Sequence, residues 1–71
     1  MAKLKVYMYC LMDEDNLTHS GLTANTKKGL VLEDIRHNYR APRHIMVMEV
    51  SDMAAVEEPN GQVHIAAGAR L

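Results

Sequence analysis

Phenylalanine and tryptophan are absent from this chain, and three tyrosines are its entire supply of large aromatic residues. A core must therefore be assembled from Leu, Ile, Val and Ala, with six methionines as flexible fillers. Cys10 is the single cysteine, which excludes an internal disulfide and any multi-cysteine zinc site and fits a reducing compartment, with the cytoplasm as the default location. Proline is equally scarce. Pro42 and Pro59 each mark a boundary between elements. Long apolar runs are lacking too: Val6 to Met12 is only seven residues, against roughly 20 needed to cross a bilayer. That run passes directly into Asp13-Glu14-Asp15, where an export signal would need a small-residue cleavage site. The sequon Asn16-Leu17-Thr18 is accordingly read as accidental. A net charge of −1 gives no overall field to attract nucleic acid or an anionic membrane.

What is present is 71 residues, 48% of them hydrophobic and 24% charged, which is enough for one small globular domain spanning residues 1–71. Dimerisation would add to so small a core. Leu4 to Met12 alternates, with Leu4, Val6, Met8, Cys10 and Met12 expected to face inward and Lys3, Lys5, Tyr7, Tyr9 and Leu11 outward. The stretch His44 to Val50 carries apolar residues at both parities and is read as a central strand covered on both sides. Between them, Leu17 to Ala24 fits a weak return strand or a loop. Val31, Leu32, Ile35 and Tyr39 recur at helical spacing, in a helix ended by Ala41-Pro42 and starting between Thr26 and Leu30. Glu58-Pro59-Asn60-Gly61-Gln62 has the composition of a tight turn, so Gln62 to Ala67 forms one arm of a hairpin. The other arm is Ala54 to Glu58, unless Ser51 or Asp52 caps a short helix there. Gly68 to Leu71 reads as a frayed tail. The expected fold is α+β: a single small, mostly antiparallel sheet of three to five strands with one helix packed on a face.

Chemistry-bearing motifs are missing. None of His19, His37, His44 and His64 forms a close metal-binding pair, Ser20 and Ser51 lack a nucleophile elbow, and the glycines make no phosphate loop. Asp13-Glu14-Asp15-Asn16 opens like a calcium loop, but Thr18 stands where that loop requires glycine. If the first and third apolar stretches pair in register, Met8, Cys10, Met12, Met46 and Met48 share a surface of soft ligands suited to Cu(I). Strand alternation assigns these side chains to the core instead, so no metal or cofactor is expected. The remaining reading is a small non-catalytic module that binds another protein as a subunit, adaptor or inhibitor, with a homodimer as one form of it. Its contact residues are expected at Tyr7, Tyr9 and Lys5, with Arg36, Arg40 and Arg43 as a basic flank. The alternative is a nucleic-acid-binding domain in which Arg36, Arg40 and Arg43 contact phosphates.

Overall fold

A computed structural model describes residues 3–67; the tail expected to fray, Gly68 to Leu71, lies outside them. Five strands and one helix follow in the order β1 (Lys5–Met12), β2 (Thr18–Asn25), α1 (Lys28–Asn38), β3 (Arg43–Glu49), β4 (Met53–Glu57) and β5 (Val63–Ala67). The expected α+β class and the helix on a sheet face are present. The strands divide into two antiparallel sheets, one of order β2-β1-β3 and one formed by the β4-β5 hairpin. No helix among the described residues is long and apolar enough to cross a membrane.

The central strand is β1, not the His44 to Val50 stretch; β3 lies at an edge. β1 pairs with β2 from Lys5–Asn25 to Met12–Thr18, and with β3 through Tyr7–Glu49, Met8–Met48, Tyr9–Val47 and Cys10–Met46. Because β2 and β3 both run antiparallel to β1, they are parallel to each other, and α1 is the crossover between them. That connection holds the helix against one face of the three-stranded sheet. No side chain caps its N-terminus at Lys27, and the first turn has no acidic residue. Its stability comes from burying Val31 and Ile35, helped by Arg36 and His37 near the negative end of its dipole.

The buried cluster consists of Tyr7, Leu11, Val31, Ile35 and Val47, with Tyr9, Leu32, Tyr39 and Ile45 packed around it. The inward face of β1 is therefore the one carrying Tyr7, Tyr9 and Leu11, the reverse of the expected orientation. The alternation holds, but the helix settles over the tyrosine rings, which offer large apolar surfaces to cover. Tyr9 lies across Gly21 of β2, where an added Cβ would meet the phenol oxygen at 2.9 Å. On the opposite face only Val6 is fully buried, in a region it shares with Met53, Ala54 and Ala55 of the hairpin.

The hairpin forms as its turn composition implies. Gly61 takes a φ of 90°, the Gly61 N–H donates to the Glu58 carbonyl at 2.9 Å, and the Gln62 N–H donates to Asn60 Oδ1 at 3.0 Å. Residues 53–57 are strand rather than helix. A β-bulge lies in β3, where Cys10 pairs with Met46 but Met12 pairs with Arg43, leaving one residue too many on β3. His44 absorbs it with a φ of 52°, a left-handed conformation for which histidine is among the less reluctant residues.

Two substitutions test this packing. Ile35→Asp would place an unpaired charge in the helix–sheet contact and should leave the chain unfolded by circular dichroism. Tyr7→Ala, at a residue only 3% exposed, should cost about 3–5 kcal/mol, much of the stability of a domain this small. A melting temperature unchanged by either substitution would mean that the helix does not cover this face.

Candidate binding surface

The six residues nominated from the sequence do not form one surface. Tyr7 is in the core, so it offers no contact area in the folded monomer. Tyr9 is half-buried, its ring packed against the core and flanking a small cleft with Asp34, Asn38 and Tyr39. Burial raises the Tyr9 hydroxyl above the ordinary phenol range, and the Tyr39 phenol beside it adds to the shift. Lys5 is exposed at the start of β1, and Arg36, Arg40 and Arg43 are all exposed.

Two of those arginines are committed to the acidic turn between β1 and β2. Arg43 Nη2 donates to the Asp13 carbonyl at 3.1 Å and also to Asn16 Oδ1. Arg40 Nη1 stands 3.8 Å from Glu14 Oε1, an exposed pair that contributes little by itself. The basic flank and the acidic turn, which the sequence places far apart, meet in space and partly neutralise each other. Asp13 organises the turn: Oδ1 accepts the Asp15 and Leu17 N–H groups at 2.8 and 3.0 Å, and Oδ2 lies 2.8 Å from His19 Nε2. Asn16 closes the corner at a φ of 65°. The His19 ring in turn lies 4.7 Å from the Tyr39 ring, tying the turn to the end of α1.

The sheet face away from the helix is uncommitted. Strand alternation turns Met8, Cys10 and Met12 of β1 to this side, with Ser20 and Leu22 of β2 and Met46 and Met48 of β3. Met8 is 43% exposed, Leu22 42%, Met46 56% and Met48 47%. Val50 and Met53 border the apolar surface at the hairpin end. The expectation that these sulfur side chains fill the core is thus overturned; none of the fully buried residues contains sulfur. A signal for this was available, since one helix cannot cover both sides of a sheet. Among the described residues, no three His, Cys, Asp or Glu side chains come together as a metal-binding group. Comparison with protein-family models, with curated proteins and with solved structures finds no match to this chain.

The Asp13 network has a pH signature. The His19 hydrogen bond, followed by that from the Leu17 N–H, holds the Asp13 carboxyl below its ordinary value of 3.8. A carboxylate depressed in the folded state stabilises the fold above its unfolded pKa of about 3.9, and that contribution disappears as pH falls through the lower folded value. Asp13→Asn should therefore melt below the wild type at pH 7, with the gap closing at acid pH once the carboxyl is protonated in both folded and unfolded states. A gap of equal size at both pH values, measured by thermal melts, would mean that Asp13 charge is not what the turn uses.

Proposed function

We propose that this chain is a small non-catalytic protein-binding module and that its contact surface is the sheet face built from Met8, Leu22, Met46 and Met48. The observation that carries this reading is the exposure of those four side chains on one continuous, uncharged face. Apolar patches of this kind on a small domain mark interaction sites, and methionine suits them because its unbranched thioether adapts to differently shaped partners. Arg43, the partner of Met12, puts a charged residue at one end of the face, as in interfaces with an apolar centre and a polar border. A subunit, an adaptor or an inhibitor would each use such a face, and a second copy of the chain belongs to the same class of partner.

The non-catalytic part of the proposal is supported by how reactive groups are distributed. Cys10 lies on the open face opposite Ser20, whereas the Asp13–His19 pair lies on the helix side, away from the thiol. The nucleic-acid alternative is less favoured because Arg43 already donates to the β1–β2 turn, which also brings Glu14 near Arg40.

Met46→Asp and Leu22→Asp are the direct test. Both positions are exposed, so each variant should melt within a few degrees of wild type, about the change expected of a surface substitution. Both should lose association, read as self-association by sedimentation and as recovery of a specific protein from native lysate by a photo-crosslinker at Met48. Unimpaired association in both variants would remove the face from the proposal; a large fall in melting temperature would assign it to the folding core.

A further inference from the structure

The distribution of sulfur on this face is not explained by its being apolar. Leu, Ile or Val would make an equally water-repelling strand surface, and the buried core uses those residues together with Tyr. Yet on the two paired strands β1 and β3, the open-face positions 8, 10, 12, 46 and 48 all carry sulfur. Met8 stands directly opposite Met48, and Cys10 directly opposite Met46. Directly opposed Cβ atoms lie ~5 Å apart, and residues two apart along a strand ~7 Å, so the four side chains rise from the corners of a small rectangle. A methionine sulfur is two bonds beyond its Cβ and a cysteine sulfur one bond, and all four rise on the same side of the sheet. A hollow lies at that place, lined by Met8, Tyr9, Cys10, Ser20, Met46 and Met48.

We propose that Met8, Cys10, Met46 and Met48 form a binding site for a soft monovalent cation, Cu(I). Thioethers are neutral, polarisable donors that favour Cu(I) and bind hard or borderline divalent ions poorly. No carboxylate or imidazole lines the hollow, which disfavours Zn²⁺, Mg²⁺ and Ca²⁺. Three thioethers and one thiolate match the single positive charge, leaving a neutral assembly on an apolar surface. Binding breaks the Cys10 S–H bond, forms a Cu–S bond and releases one proton to solvent without any change of oxidation state. Apparent affinity therefore falls as pH falls. The site shares residues with the proposed protein-binding face but does not depend on that reading, because docking needs their apolar bulk whereas the metal needs their sulfur.

The test uses that difference. The reduced full-length protein is titrated anaerobically with Cu(I) buffered by bicinchoninate, and Ag(I), of equal charge and inert to redox, serves for NMR. One equivalent of Cu(I) should leave the chelator. The Met46→Leu/Met48→Leu variant, which keeps the apolar volume, should bind at least about tenfold more weakly, with its melting temperature and any protein association retained. Ag(I) should shift the methyl resonances of Met8, Met46 and Met48 in wild-type protein and leave Met53 in place, a readout independent of how any variant folds. Failure of the wild type to take Cu(I) from the chelator would overturn the proposal, as would a double leucine variant that binds as well as wild type. Methyl shifts confined to other methionines would overturn it too. Loss of association in the aspartate variants alongside any of these results would leave the protein-binding reading intact.

Discussion

A three-stranded sheet has two faces, and this chain has one helix to place on them. The crossover from β2 to β3 delivers α1 to the side of Tyr7, Tyr9 and Leu11, and nearly everything else depends on that choice. Val31 and Ile35 find their burial there, and Tyr39 reaches the His19 ring from the end of the helix. Among the described residues, the other side receives only the β4-β5 hairpin, which shelters Val6 near one end and leaves the methionines beyond it in contact with water. The fold is thus asymmetric by construction, with the tyrosine rings on the closed side and the exposed thioethers, joined by Leu22, on the open one.

The polar contacts reinforce the closed side rather than the open one. Asp13 gathers two backbone N–H groups and the His19 ring, while Arg43 crosses from β3 to the same turn. The bulge at His44 matters here, because the extra residue shifts the β3 register so that Arg43 pairs with Met12, next to the turn. At the other end of β2, Asn25 Nδ2 donates to Asp34 Oδ2 at 3.3 Å and links the strand to the helix. These bonds are mostly exposed, so they orient the elements more than they stabilise them.

Much of this was legible in the sequence. The alternation of Leu4 to Met12, the helical stripe of Val31, Ile35 and Tyr39, and the Pro59-Asn60-Gly61 turn each follow from local chemistry, and each element exists. The facing of β1 was not legible from alternation alone, since both of its faces are apolar and period two does not say which one a helix will cover. β3 misled for the same reason: Met46 and Met48 have the hydropathy of buried residues on a face that stays open. The candidate surface was half visible. Its sulfur residues were identifiable as sharing a side if β1 and β3 paired, whereas Leu22 joined them only through the β1–β2 register. The meeting of Arg40 and Arg43 with the acidic turn is a contact between distant segments, and neither charge run announces it.

The division of sulfur between the two sides also sets how the molecule responds to oxidants. Thioethers at an exposed surface are converted readily to sulfoxides, which are polar and larger, whereas a buried cluster of Tyr7, Leu11, Val31, Ile35 and Val47 contains nothing that peroxide oxidises easily. Oxidative damage therefore falls first on the open face, wetting it and removing its softest donors, while the packing that holds the helix to the sheet goes untouched. The chain would lose what its surface does before it loses its shape, and reductive repair of the sulfoxides would restore the surface without any need to refold.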